Sequence, residues 1–319
     1  MIQFRAVYLI CLLPLVLTNG YAAPLDPTTQ KLYEKIDSLF VIASSGEVKY
    51  RDMVEPAIEA IAKLGAPAVP PLIDKLDTQS ARDRQTLISI FTKIGSPAVP
   101  KLVEALGRQS WLVVQRVCWA LGDIKDSSAI EPLRQVSFHP NWQVREYGIR
   151  ALGNIGNAKG LATVMNALSD SVGAVRKAAV FASGQIKHED ALPKLVDALG
   201  DDFYGARFGA MEALVLLDTS AVLEKLRDAA ETAGGLKANM ICQTLGKIGQ
   251  GEALDILNVL LESSNPAMRT YAAVAIVGAD PTDHCGFHAR IAEKITDRLA
   301  LVQIESARKA AQNVSQATH

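Results

Sequence analysis

The chain has 319 residues, 49% of them apolar and only 6% aromatic, with a formal net charge of −1 at pH 7. A core drawn from Ala, Leu, Ile and Val suits closely packed helices and not an aromatic-rich β-sandwich. Basic residues are spread evenly along the sequence, which excludes the concentrated basic surface that nucleic-acid binding requires.

Residues 1–22 read as a secretory signal. Arg5 supplies the positive n-region, residues 6–17 form a short apolar run, and Gly20-Tyr21-Ala22 places small residues ahead of an expected mature start at Ala23. A membrane span needs about 20 apolar residues, so the run fits a cleaved signal better than an uncleaved anchor, the competing reading. Cys11 sits too far inside the run to suit lipid attachment. Removing the segment takes away only Arg5, leaving 32 basic against 34 acidic residues, a net of −2. The mature protein is expected in the periplasm or outside the cell, without stable membrane insertion.

Residues 28–43 form an amphipathic pattern closed by Ser44-Ser45-Gly46, and residues 23–49 read as an N-terminal capping helix. From residue 50 to residue 283 the chain repeats. Segments ending in Ala-Leu-Gly-x-Ile or its variants align Ala62, Thr92, Gly122, Gly153, Gly184, Val215, Gly246 and Val277 at intervals of 30 or 31 residues. Three columns share the register: Arg84, Arg145, Arg176, Arg207 and Arg269; Ala68, Ala98, Ala129, Ala191 and Ala253; and Leu72, Leu102, Leu133, Leu195 and Leu257. A fixed period in this range marks units too small to bury their own apolar faces, which close their core by stacking.

Each unit reads as two helices. In one of them Val175, Ala179, Ala182 and Ile186 follow a helical period, giving helix A, with a turn near Lys187. Helix B is expected over residues 190–199, with Leu192, Leu195, Val196 and Leu199 on one face and Gly200 as a stop. Pro97 and Pro193 suit B-helix starts, and Ser96 is the expected cap. Small anchor residues predict close approach between A helices, and Val215 and Val277 predict wider packing. Residues 284–319 read as C-terminal capping helices.

The Ala-Leu-Gly-x-Ile endings, the Ala-x-x-x-Leu of helix B and the Val-Arg opening helix A resemble the HEAT-like repeats also called phycobilisome-lyase-like repeats. The resemblance covers residues 50–283 and implies an all-α, right-handed solenoid with helix A on the outer curve and helix B on the inner. The family includes bilin lyases, hydroxylases and scaffolds, so it specifies architecture and not activity. Its hydroxylases carry several His-Glu pairs as iron ligands. The single pair here, His188-Glu189, cannot assemble that centre.

Four groups of residues are candidates for function or its structural support. Trp111, Trp142 and Tyr204 share a column eleven residues before the anchor, interrupted by Gly173, with Phe138, His139 and Phe203 in the neighbouring turns. These predict an aromatic edge for a protein or peptide partner, against the plainer reading that the rings cover helix ends. The arginine column reads as structural, Asp170 and Asp201 standing six residues before Arg176 and Arg207 and expected to pair along a ladder between repeats. Asp283, His284, Cys285 and His288 form the one metal-like cluster: His284 and His288, four apart, could share a helical face with Cys285 nearby and make an open site, though the motif lacks a matching fourth ligand. Cys118 and Cys242 share a core column four repeats apart and are expected as buried free thiols.

No nucleophile elbow, phosphate-cradling loop or zinc-protease motif occurs, and no cofactor is expected. The sequence thus predicts an exported scaffold that binds a protein or peptide through its inner helix face or the aromatic edge. The alternative is an enzyme or metal-dependent accessory protein with a site near Asp283–His288.

Overall fold

A computed structural model describes residues 26–217, 220–283 and 286–317. The signal-like residues 1–22 lie outside the described residues. Those residues contain helices and turns and no strand.

Helix α1 (Pro27–Ala43) begins at Asp26, whose carboxylate accepts from the amides of Thr28 and Thr29. Seven helix pairs follow: α2 and α3 (Val54–Ala62, Val69–Asp74), α4 and α5 (Ala81–Ile94, Val99–Ala105), α6 and α7 (Trp111–Ile124, Ile130–Val136) and α8 and α9 (Trp142–Ile155, Leu161–Ala167). The series continues with α10 and α11 (Gly173–Ile186, Leu192–Ala198), α12 and α13 (Tyr204–Leu217, Ser220–Thr232) and α14 and α15 (Gly235–Ile248, Glu252–Leu260). Then come α16 (Pro266–Ala279), α17 (His288–Lys294) and α18 (Arg298–Ala317).

The even-numbered helices stack as one row, the A row, which α1 begins and α18 ends by packing on α16. The odd-numbered helices from α3 to α17 form the B row. One continuous apolar core runs between the rows from Ile36 to Ile304.

Six of the seven connections from A to B carry a left-handed or otherwise positive-φ residue, Gly65, Gly95, Lys125, Gly156, Lys187 or Gly249, and the seventh lies partly outside the described residues. In three of them the next side chain caps the 3-10 turn that starts the B segment. Asp126 accepts from Ser128, Asn157 from Lys159 and His188 from Asp190. His188 is therefore a turn residue, its Nδ1 occupied by backbone. Ser96 does not cap as expected. Gly95 at φ 72° opens that turn, and the Ser96 hydroxyl bonds the Asp126 carboxylate, helping to hold it below the usual carboxylate range.

Glycine anchors decide how closely the A helices approach. A Cβ on Gly122 would lie 2.8 Å from the Ala151 Cα, and one on Gly153 2.6 Å from the Ala182 Cα. Gly184 and Gly246 pack against Ala213 and Ala275, where a Cβ would meet the neighbour's Cβ at 3.0 Å. These four interfaces run along much of the helix length, whereas those anchored by Ala62, Thr92 and Val215 touch less. Val277, by contrast, is fully buried, with α18 packed on its helix.

Neighbours in the B row meet at fewer points and are bridged by long side chains. Arg134 Nε donates to Thr163 Oγ1 at 3.3 Å, and Lys194 Nζ to the Met165 carbonyl at 2.9 Å. A stack bends toward the row with the shorter spacing, so the A row forms the inner curve. This reverses the sequence expectation of helix A outside, because glycine at the anchors shortens the A-row repeat and nothing equivalent shortens the B row.

Candidate functional site

The arginine column forms a ladder, with a different pairing from the expected one. Each Nη1 caps the end of the preceding B segment. Arg145 reaches the His139 and Pro140 carbonyls at 3.0 and 3.2 Å, Arg176 those of Asp170 and Ser171, Arg207 those of Asp201 and Asp202, and Arg269 those of Ser263 and Ser264. Arg84 bonds the Gln79 carbonyl at 3.0 Å.

The acidic side chains serve the repeat before. Asp170 receives Nε and Nη2 of Arg145 at 2.8 and 2.9 Å, and Asp201 receives those of Arg176 at 2.6 and 2.8 Å. The acid six residues upstream of an arginine offers its backbone carbonyl, while its carboxylate turns to the arginine 25 residues earlier. Burial alone would raise both aspartates; the arginines and the Val172 and Phe203 amides outweigh it and hold them below the ordinary range.

The aromatic edge separates into pieces. Trp111 is half-buried and packs on the core, and Trp142 and Tyr204 stand exposed at the first positions of α8 and α12. Among the described residues no ring contact joins Trp111 to Trp142; Tyr204 stacks on Phe208 at 6.1 Å. Phe203 lies against Gly173, where a Cβ would be 2.5 Å from its ring, so the gap in the column is filled by the next repeat. Phe138 and His139 face a separate hollow of about 480 Å³ beside α5 and α7, with His139 Nδ1 accepting from the Asn141 amide.

In the metal-like cluster, His284 and Cys285 lie outside the described residues. Asp283 Oδ1 accepts the His288 amide at 3.0 Å, capping α17. The His288 ring sits between the Asp280 carbonyl, 3.0 Å from Nε2, and Arg308 Nη2, 3.4 Å from Nδ1. With its proton on Nε2, the ring donates to the carbonyl and accepts from the guanidinium. Among the described residues no three His, Cys, Asp or Glu side chains gather as a metal would require.

Cys118 and Cys242 are free and buried in α6 and α14. Burial pushes both thiols up, that of Cys242 to about 12.

The open face of the A row carries a site that the aromatic column did not reveal. Three hollows line up along it. The first, about 260 Å³, lies among Arg84, Gln115, Arg116, Trp119 and Tyr147; the second, about 350 Å³, between α8 and α10; the third, about 620 Å³, reaches from Phe181 to Lys247.

Their walls are aromatic rings held by polar groups. Trp119 and Tyr147 meet at 6.2 Å, Trp119 Nε1 donates to Asp123 Oδ2 at 2.9 Å, and Arg150 stands 5.3 Å from the Tyr147 ring centre. Asn154 bridges Asp123 and Gln185 at 3.4 and 3.2 Å, a side-chain chain across three repeats. Lys177 lies over Phe181, Lys247 over Phe208 and bonds Glu212. Burial holds the Glu146 carboxyl above its usual value, against the pull of Arg150.

Phe181, Phe208 and Leu216 are exposed here, Leu216 by 65%. Flat side chains on an open, concave row suit an extended partner, which loses little by ordering against them.

Residues 69–138, 136–214 and 173–239 match the sequence profile of HEAT repeats. Together these cover more than half of the chain, which therefore belongs to the HEAT-repeat family. No curated protein matches it by sequence. Among solved structures, human deoxyhypusine hydroxylase is 21% identical with a TM-score of 0.34, covering 82% of this chain and 98% of that one. The Escherichia coli protein YIBA is 17% identical, TM-score 0.48, over 83% and 98%. The CpcE and CpcF phycocyanin lyase complex of Nostoc is 16% identical, TM-score 0.39, over 74% and 93%. Such low values transfer no activity from those proteins to this chain.

Proposed function

We propose that this HEAT-repeat protein is an exported scaffold that binds a protein or peptide segment along the inner, A-row face. The observation that carries the reading is the line of Trp119, Tyr147, Phe181 and Phe208 along one open groove, flanked by charged and amide side chains. Export rests on the character of residues 1–22, and no helix of the described residues is long and apolar enough to cross a membrane.

The edge of Trp111, Trp142 and Tyr204 is the competing surface for the same function. Affinity capture from the native extracytoplasmic fraction separates the two. With Trp119, Phe181 and Phe208 all replaced by Ala, the partner is expected to be lost; with Trp111 and Trp142 replaced, it is expected to remain. The opposite pattern moves the binding face to the edge, and capture unaffected by either set removes both.

A further inference from the structure

One end of the groove holds two arginines that, among the described residues, no carboxylate pairs in an ion-pair contact. Arg116, on α6, is only 5% exposed. Its Nη1 donates to the Leu76 carbonyl, and among the described residues its Nε and Nη2 have no protein acceptor. Arg84, on α4, lines the same hollow and bonds protein only through Nη1, to Gln79. Burial, and then the repulsion of Arg84, hold the Arg116 guanidinium below its ordinary value, with Asp77 as the offsetting acid.

The ladder explains what is missing. Asp170 and Asp201 stand three residues before α10 and α12, and from there they fill Nε and Nη2 of Arg145 and Arg176. Three residues before α6 stands Arg108, which turns to Asp74 at 3.1 Å instead. Where two repeats place a carboxylate, this one places another cation, and the fork of Arg84 stays open toward the groove.

We propose that the hollow between Arg84, Arg116, Trp119 and Tyr147 receives a carboxylate side chain of an acidic partner segment. This deepens the proposed function and rests on it. A guanidinium presents paired N–H groups that match the two oxygens of a carboxylate. A partly buried cation gains more from such a pair than an exposed one, because water screens it less. The Trp119 and Tyr147 rings flank the same opening and pack the aliphatic or aromatic part of the segment. An acidic peptide fits better than a free anion, since the groove continues past the arginines as an aromatic-lined track toward Phe181 and Phe208.

The test titrates the protein with a random glutamate–tyrosine copolymer and with a glutamine–tyrosine peptide of matched length. The readout is the Trp119 indole N–H signal, assigned with a Trp119→Phe variant. The glutamate probe is expected to shift that signal saturably, and the glutamine probe to bind about tenfold more weakly. Arg84→Gln should weaken the glutamate probe by a similar factor.

Arg108→Asp supplies the missing internal carboxylate. It should keep the fold, pair with Arg84 and reduce probe binding, while Lys101→Asp, an equal charge change on the B row, should not. Equal binding of both probes, or equal losses in Arg108→Asp and Lys101→Asp, overturns the proposal even if groove variants still lose the captured partner. Inorganic phosphate shifting the same signal at lower concentration than the copolymer overturns the peptide assignment.

Discussion

The middle of the stack, from α6 to α12, differs from its flanks at α2 to α6 and at α12 to α14. In the middle every A-row interface is anchored on glycine, and two half-buried arginine–aspartate pairs tie successive repeats. At the flanks the anchors are Ala62, Thr92 and Val215, and among the described residues Arg84 and Arg207 hydrogen-bond only carbonyls. Side chains at the anchor keep helix backbones apart, and a guanidinium without an acid contributes a cap and not a tie. One repeat sequence thus yields a tightly joined centre with looser neighbours, and the groove crosses the boundary.

The largest contrast should come from the ion pairs. Arg176→Met leaves Asp201, 9% exposed at its side chain, without its partner and should cost up to about 3 kcal/mol, the low end for a buried pair because this one keeps some contact with water. Arg269→Met removes only caps on the Ser263 and Ser264 carbonyls and should cost about 1 kcal/mol. Urea unfolding of the two variants measures the difference; equal losses would erase the distinction between tie and cap.

The anchors come next. Gly153→Ala drives a methyl into the backbone of the next helix and should destabilise by about 1–3 kcal/mol. Gly278, in α16 with nothing within 4 Å of an added Cβ, should gain up to about 1 kcal/mol as Ala through helix propensity. Melting temperatures that move in the same direction would break the spacing argument.

Acid should loosen the centre. Asp170 and Asp201 titrate lower in the folded chain than the ordinary carboxylate value of 3.8. Their contribution is therefore full above that value and is lost as pH falls through the lower, folded values. Unfolding free energies measured from pH 6 to pH 3 should fall at the acid end in the wild type, with part of that slope missing in a double variant of Arg145→Met and Arg176→Met. The smallest effect concerns the thiols. In a Cys285→Ser background, Cys118 and Cys242 should resist thiol reagents at neutral pH and react on denaturation, since burial disfavours both thiolates.

The repeat register was readable because small anchors and arginines recur as residue types, and each recurrence reflects one packing constraint. Partners were less readable. Asp170 is near Arg176 in sequence, yet its carboxylate belongs to Arg145, because a solenoid's spatial neighbour lies about one repeat away. Ser96 had the right residue type for a cap and the wrong backbone, with Gly95 already turning the chain.

The groove was hidden for a different reason. Trp119 and Phe181 share a register position that is Arg150 and Glu212 in other repeats, so no residue type repeats there. Tyr147 and Phe208 stand elsewhere on the same face. Finding them needed the direction of curvature, which follows from spacing between helices and not from the period of the sequence.

The inner-face assignment is tested most directly by photo-crosslinking in the native compartment. Benzoylphenylalanine is placed either at Phe181, in the A-row groove, or at Val259, exposed on the B-row helix α15. A discrete partner adduct is expected from position 181 and none from position 259; an adduct from 259 alone would contradict binding along the A row.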